Sequence, residues 1–326
     1  VVSRATILVV IIGVDLGGTN VRGAAVSVEG ELSSRVEKPS YARQGSEACL
    51  NALREIITEV SAGKLPDAVG IAIPGHIDAV RGIVHWAPNF GEVIEGKLRI
   101  WEDVDVFGPL SGVSRGPITI GNDANLAALG EYRFGCGNGT AEGFVLYTLG
   151  TGVGSGVIVA PKSLQGRLAA ASIYIGHRGG AAEMGHVKVV TNGRPCGCGS
   201  RGCLETYCGT EGLLETAAEC GLQVDSPLAL FDAAEQGSES AREAWSLFGR
   251  HLGAAIGNTI NTFAPEIVAI GGQVAGAWAH FADEMERTAR QQSISSLSRS
   301  TRIVRAVEYE DAGILGAGAL ALGAVT

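Results

Sequence analysis

Asp15-Leu16-Gly17-Gly18-Thr19-Asn20 lies between two apolar segments near the start of the chain, Ile7–Asp15 and Val21–Ser27, which predict strands. The glycines permit a sharp turn and let backbone N–H groups approach an anion. The Thr19 hydroxyl adds a donor, and the Asp15 carboxylate, at the end of a strand, would hold Mg²⁺ through water. An ordinary glycine hairpin has the same pattern, so this stretch alone leaves phosphate binding open.

A similar unit recurs later in the chain, where the predicted strands 143–149 and 154–160 flank a turn through Gly150-Thr151-Gly152. This repetition indicates one supersecondary unit in each of two domains. Two such hairpins would hold a polyphosphate from both sides. The chain has no G-x-x-x-x-G-K-[ST] sequence, and Gly150–Gly154 leads into a strand, which argues against a P-loop enzyme and a dinucleotide-binding fold.

The composition is that of an acidic, globular chain. Glycine contributes 48 of 326 residues, roughly twice the usual ~7%, with only 10 prolines, no fixed period and 46% apolar residues, which excludes collagen and argues against disorder. A net charge of −9 gives no electrostatic footprint for nucleic acid. The apolar run Ile7–Val14 is too short to span a bilayer and lacks a small-residue cleavage site, so it predicts a buried strand. We therefore expect neither a nucleic-acid partner nor a membrane association.

Strand-like and helix-like patterns alternate along the chain, as is typical of an α/β protein. The other predicted strands span 31–38, 68–73, 117–121, 267–270 and 303–307, and the predicted helices span 46–62, 122–134, 211–220, 227–236, 239–263, 275–292 and 311–324. Residues 176–209, which are rich in glycine and cysteine, have no clear periodicity.

Cys196, Cys198 and Cys203 form a C-x-C-x₄-C cluster that begins ten residues after His186. Three thiolates and one imidazole complete a structural zinc site and leave no open position for substrate. Free buried cysteines are the alternative, but three thiols in eight residues with polar neighbours favour zinc. A redox pair is less favoured because C-x-x-C is lacking. The seven cysteines form no disulfide framework, which predicts a reducing, cytoplasmic compartment.

Five motifs resemble those of the ROK family of repressors, open reading frames and sugar kinases, above all its glucokinase-like members. In chain order they are DLGGTN, GNDAN, LGTGVGSG, AAEMGH and CGCGSRGCLE, and the resemblance runs from about residue 11 to the C-terminus. It implies an α/β, actin-like ATPase (ribonuclease H-like) fold, with two domains around a central cleft and nucleotide phosphates between the two hairpins. We expect a small domain from 1–121 plus 311–326, and a larger one, with the zinc site and sugar-binding loops, from 122–310.

The resemblance implies ATP-dependent phosphorylation of the 6-hydroxyl of a hexose. Phosphoryl transfer needs a carboxylate that takes the acceptor's proton, a role the resemblance assigns to Asp123, which alone would be interpreted as a helix cap. The sugar would be bound by Gly75, Asn89, Asn122, Asp123, Glu183, His186 and Glu205, and zinc by His186, Cys196, Cys198 and Cys203. The nucleotide would lie on Asp15, Gly17, Gly18, Thr19 and Asn20, on Gly150, Thr151 and Gly152, and on Gly271, Gly272 and Gly313.

Several alternatives stay open. Glucose is the expected substrate, but kinases of N-acetylmannosamine, N-acetylglucosamine or fructose fit the same residues. A sugar-responsive regulator is disfavoured, because few residues precede Asp15 and the chain is acidic. Ser155 and Ala182 stand where the family more often has glycine, and the stretch between Gly166 and Gly176 is longer than typical, which leaves sugar specificity open. The resemblance also suggests a homodimer or a homotetramer.

Overall fold

A computed structural model describes residues 9–159, 171–308 and 310–325. Its strands are β1 Ile11–Leu16, β2 Asn20–Val26, β3 Leu32–Pro39, β4 Ala68–Ile73, β5 His76–Asp78, β6 Ile83–Ile94, β7 Lys97–Asp105, β8 Ile118–Asn122, β9 Gly143–Leu149, β10 Val153–Val159, β11 Ser172–Ile173, β12 Ile267–Gly271 and β13 Arg302–Arg305. Its α-helices are α1 Ser46–Val60, α2 Asp123–Arg133, α3 Glu205–Cys208, α4 Thr210–Glu219, α5 Pro227–Glu235, α6 Glu239–Phe263, α7 Trp278–Gln292, α8 Ser295–Ser300 and α9 Ala312–Gly323. None of the helices in these ranges is both long and apolar enough to cross a membrane.

Two five-stranded sheets with one topology form the framework of the protein. The first has the order β3-β2-β1-β4-β8 and the second β11-β10-β9-β12-β13. In each, a hairpin of antiparallel strands, β1–β2 or β9–β10, is extended by two parallel strands on one side. The central strands are continuously apolar, as expected for parallel strands covered on both faces. The predicted repeat and the actin-like, ribonuclease H-like fold are confirmed.

Contacts divide the chain into two units. The first comprises Val1–Phe134, Ile175–Ala181 and Asp311–Thr326, and the second comprises Gly135–Tyr174 and Ala182–Glu310. The C-terminal helix α9 therefore belongs to the same unit as the N-terminal sheet. The first unit extends past the expected boundary at residue 121, because α2 packs closely on α9. A Cβ added at Gly316 would lie 1.6 Å from the carbonyl oxygen of Leu126.

Regular elements follow the apolar periodicity where it is strong. Strands 68–73 and 143–149 and helix 239–263 have the predicted bounds. The three-stranded sheet β5–β6–β7 was not predicted from the sequence. Its longest strand, β6, contains Pro88, and its register to β7 shifts between Ala87 and Gly91, which breaks the alternation of buried and exposed residues. The first residues of the predicted strand from Ile7, and Gly166 at the start of the longer stretch, lie outside the described residues.

Substitution of Gly316 by Ala tests the α2–α9 packing. We expect it to lower the free energy of unfolding by about 1–3 kcal/mol, because the new methyl group would overlap the Leu126 backbone. Gly323→Ala in the same helix is the control, because nothing lies within 4 Å of its added Cβ. Its effect should stay within about 0.5 kcal/mol. Denaturant unfolding of both variants measures the difference, and equal stabilities would contradict this packing.

Candidate active site and metal centre

The first hairpin brings the predicted residue Asp15 next to a cation. Asp15 and Arg22 pair across β1 and β2, and the Arg22 guanidinium donates to Oδ2 of Asp15 at 2.6 Å. Gly313, at the start of α9, lies against the same carboxylate: an added Cβ would be 2.8 Å from Cγ of Asp15. The turn is closed by a hydrogen bond from the Gly17 N–H to the Asn20 carbonyl. Asp15 and Gly313, both predicted for the nucleotide, are therefore neighbours. Arg22 was missed, although hairpin pairing places it opposite Asp15.

Asp123 is the first residue of α2, and its neighbour Asn122 caps that helix. The Asn122 side-chain oxygen accepts from the Asn125 N–H at 3.1 Å, while its amide donates to the Gly75 carbonyl at 3.1 Å. Asp123 is half-buried. The amide thereby fixes the Gly75 turn against the start of α2, so three predicted sugar residues meet at one point of the first unit.

Gly75 itself is required by backbone geometry. Its φ is +113°, and an added Cβ would lie 2.1 Å from the carbonyl oxygen of Trp86 in β6. A side chain there would push β6 away from the turn. Asn89 lies three residues after Trp86 on β6 and is exposed, so its role in sugar binding stays a prediction.

The second hairpin is held directly by a predicted sugar residue. Oε2 of Glu205 accepts from the Val153 N–H at 3.1 Å. An added Cβ at Gly152 would lie 2.5 Å from the same oxygen, so the carboxylate lies directly against the glycine turn. On the other side of the turn, the Thr210 hydroxyl donates to the Gly150 carbonyl at 2.9 Å. The predicted phosphate turn and the half-buried Glu205 thus form one structure.

The predicted adenosine segment also meets this hairpin. Gly271 ends β12 and pairs with Thr148 of β9. Gly272 has a φ of +84°, and an added Cβ would lie 2.2 Å from the Leu149 carbonyl oxygen. The close approach explains the glycine and places this segment beside Gly150.

The Glu183–His186 segment lies against β10 of the same hairpin. Residues Met184–His186 form one turn of 3₁₀-helix. An added Cβ at Gly185 would lie 2.1 Å from the Val153 carbonyl oxygen, so this turn touches the strand at backbone level. Glu183 precedes the turn and is exposed. Glu183, His186 and Glu205 are therefore all positioned by one strand.

Four ligand atoms meet in the cysteine-rich loop. The ligating atoms of His186, Cys196, Cys198 and Cys203 all lie within 4.8 Å of one another. Sγ of Cys196 is 3.6 Å from Nδ1 of His186, and the Sγ atoms of Cys198 and Cys203 are 3.7 Å apart. Tetrahedral zinc, with bonds of about 2.3 Å to sulfur and 2.0–2.1 Å to nitrogen, separates its ligands by about 3.6–3.8 Å. The four predicted ligands fit such an ion.

The charge around this cluster also suits a cation. Lys188 Nζ donates to Sγ of Cys203 at 2.8 Å and to the His186 carbonyl at 3.0 Å. A hydrogen bond from the Ser200 backbone lowers the pKa of Cys198, whereas burial raises the pKa of Cys196 to about 11. A divalent ion bound here would deprotonate the ligand thiols, and Lys188 would offset part of the resulting negative charge.

Arg194 fastens the cysteine loop to the helices behind it. Its side chain is 11% exposed and donates to the carbonyls of Thr206 and Gly212 at 2.9 and 2.8 Å. It also donates to the Glu219 carboxylate at 2.7 Å, and its guanidinium lies 4.7 Å from the centre of the Tyr207 ring. Arg194 was missed from the sequence, because its partners lie up to 25 residues away and follow no local pattern.

Comparisons with known proteins identify the family. A ROK family model matches residues 11–324, and the chain belongs to that family. The glucokinase of Thermotoga maritima is 34% identical over 95% of this chain and 96% of its own. A ROK family glucokinase from Streptomyces griseus, solved in complex with glucose and AMPPNP, is 29% identical over 96% of this chain and 99% of its own, with a TM-score of 0.76. The xylose repressor of Caldicellulosiruptor bescii is 27% identical over 94% of this chain, which covers 76% of the repressor.

Substitution of Cys198 by Ser tests the metal centre. We expect the wild type to contain about one zinc ion per chain and the variant to lose it, with a lower melting temperature, because an incomplete ligand set no longer links the loop. Cys220→Ser, a half-buried thiol outside the cluster, is the control and should keep the metal. Elemental analysis and thermal unfolding measure both effects. A metal-free wild type, or a C198S variant of unchanged stability and metal content, would contradict a structural zinc site.

Proposed function

We propose that this protein is an ATP-dependent hexose kinase that phosphorylates the 6-hydroxyl of glucose. The proposal rests on the contact between the Glu205 carboxylate and the glycine turn of the second hairpin. This contact places a carboxylate that could accept from sugar hydroxyls beside a turn that could bind phosphate. The relatives support the same reading: one at 34% identity is named a glucokinase, and a related glucokinase was solved with glucose and AMPPNP.

Asp123 is the proposed general base. It lies at the N-terminus of α2, where the helix dipole favours a charged carboxylate. During transfer, the sugar 6-oxygen forms a bond to the γ-phosphorus, and the bond between the γ-phosphorus and the β–γ bridging oxygen breaks. The 6-hydroxyl proton passes to Asp123, and ADP leaves. The Asn122 amide holds the Gly75 turn beside this carboxylate, so it would help to position Asp123 as well as bind the sugar.

The nucleotide would be bound by backbone N–H groups of the two glycine turns, with the adenosine near Gly271 and Gly272. Asp15 would hold Mg²⁺ through water, since Mg²⁺ keeps several waters and takes one or two carboxylates. The ion would neutralise charge that develops on the phosphates. Arg22 would keep the Asp15 carboxylate in one orientation.

The sugar hydroxyls would be bound by Glu183, His186 and Glu205. Nδ1 of His186 faces Cys196, so metal ligation would leave the proton on Nε2, as a donor toward a sugar oxygen. The two carboxylates would accept from hydroxyl groups. Zinc would hold the loop and have no place in the reaction itself, since four protein ligands leave no open position.

The proposal extends to the substrate range, the compartment and the assembly of the protein. Two carboxylates and an imidazole also suit N-acetylmannosamine, N-acetylglucosamine and fructose, so these sugars are the alternative substrates. All seven cysteines are free, which supports a reducing, cytoplasmic compartment. The homodimer or homotetramer stays a prediction.

A coupled ADP-release assay tests the activity. With ATP and Mg²⁺, glucose should give the highest kcat/KM among glucose, mannose, fructose, N-acetylglucosamine and N-acetylmannosamine. A preference for an N-acetylated sugar would replace the substrate but keep the reaction. Absence of ADP release with every sugar would overturn the proposed kinase.

Substitution of Asp123 by Asn should lower kcat by about 10²- to 10⁴-fold and leave the KM for glucose within a few-fold, since only proton removal is lost. Glu239→Gln is the matched control, because Glu239 is likewise an acidic residue in the first turn of its helix. It should keep its kcat. Steady-state kinetics of both variants decide the assignment, and a D123N enzyme with near-normal kcat would refute it.

A further inference from the structure

Ser155 of β10 is buried, 6% exposed, and its hydroxyl contacts the segment that carries Glu183. Its Oγ accepts from the Met184 N–H at 3.0 Å and donates to the Ala182 carbonyl. Ala182 and Met184 are the two ends of a tight turn with Glu183 at its centre. One hydroxyl therefore bridges both sides of a proposed sugar ligand.

The backbone around Glu183 is an inverse γ-turn. Glu183 has φ −74° and ψ 53°, and the Met184 N–H also reaches the Ala182 carbonyl at 2.8 Å. Ala182 has φ +64°, in the left-handed region that a residue with a Cβ adopts at a cost in free energy. A strained residue persists only when its surroundings hold it. Here the Ser155 hydroxyl contacts both ends of the turn from β10, and the Tyr147 and Thr259 hydroxyls contact the Met184 sulfur.

We propose that Ser155 is a positioning residue, whose hydroxyl holds the strained Ala182–Met184 turn so that Glu183 meets the sugar in one orientation. This rests on the function proposed above, in which Glu183 binds a sugar hydroxyl. Ser155 itself touches neither sugar nor nucleotide in this scheme.

Strand β10, which carries Ser155, also contacts both segments that carry the proposed carboxylates. Two residues earlier, the Val153 N–H holds Glu205, and the Val153 carbonyl lies against Gly185. The same strand therefore sets both proposed carboxylates relative to the glycine turn. Glu205 is held by strand backbone, whereas the Ala182 carbonyl and the Met184 N–H of the Glu183 turn are both held by one side-chain hydroxyl.

The expected phenotype follows from that difference. Ser155→Ala should raise the KM and the Kd for glucose about 2- to 10-fold, the range set by loss of a hydrogen-bonded hydroxyl. The kcat and the KM for ATP should change less than the KM for glucose, because the hydroxyl contacts only the Glu183 turn. Thr301→Val is the control: its hydroxyl is also buried in the second unit, where it donates to the Pro265 carbonyl at 2.8 Å. It should leave the KM and the Kd for glucose unchanged.

Ala182→Gly provides the decisive second variant. Glycine adopts the left-handed conformation without strain, so the turn needs less support from Ser155. In the A182G background, Ser155→Ala should therefore raise the Kd for glucose by a smaller factor than in the wild-type background. Isothermal titration with glucose gives the Kd of all four proteins without turnover, and steady-state kinetics give the split between KM and kcat.

The outcomes separate this proposal from the function. Unchanged glucose affinity in S155A, or equal losses in both backgrounds, would overturn the role of Ser155 while the kinase assignment stands. A wild type that binds glucose but releases no ADP would overturn the kinase, and the Kd cycle would still decide the role of Ser155. A folded wild type that neither binds nor phosphorylates glucose would overturn both.

Discussion

Backbone packing at two glycines is the constraint on which the second unit's site depends. An added Cβ at Gly272 would lie 2.2 Å from the Leu149 carbonyl oxygen, and one at Gly185 would lie 2.1 Å from the Val153 carbonyl oxygen, so neither position leaves room for a side chain. The first contact fixes the end of β12 against the second hairpin, and the second fixes the Met184–His186 turn against β10. The Glu205 carboxylate joins the same strand through the Val153 N–H. A shift of β10 would therefore move the glycine turn and these side chains together.

The sequence predicts most of the sheet framework, because buried parallel strands such as β4 and β12 are short, uninterrupted apolar runs between turn residues. Repetition of the glycine hairpin then indicates the doubled topology. The sheet β5–β7 escapes this reasoning. A register shift at Ala87–Gly91 and exposed apolar residues such as Trp86 and Val93 remove the alternation on which strand prediction rests. The continuation of the first unit through α2 depends on packing against α9, which lies far away along the chain.

The site residues also fall into those that the sequence reveals and those that only the structure reveals. Glycine turns and clustered cysteines are local patterns, so the two hairpins and the four predicted metal ligands are visible in the sequence. Ser155 and Arg194 contact residues that no local pattern selects. Ser155 shows why: a serine in an apolar strand is an ordinary residue until its partner, Ala182, is known to have a positive φ. Geometry rather than residue type makes it informative.

The irregular segment 187–203 is the part of the fold that the proposed metal centre would stabilise. Between the 3₁₀ turn at His186 and the start of α3 there is no helix or strand of the described set, only isolated bridges such as Lys188–Cys203. A segment without a regular hydrogen-bond ladder loses more conformational freedom on ordering than it recovers. Four ligands to one proposed ion would replace that ladder, and Arg194 ties the loop to the helices behind it. Sites that recognise hydroxyl groups need their acceptors fixed to within about 0.5 Å. A cross-linked loop meets this requirement where secondary structure does not.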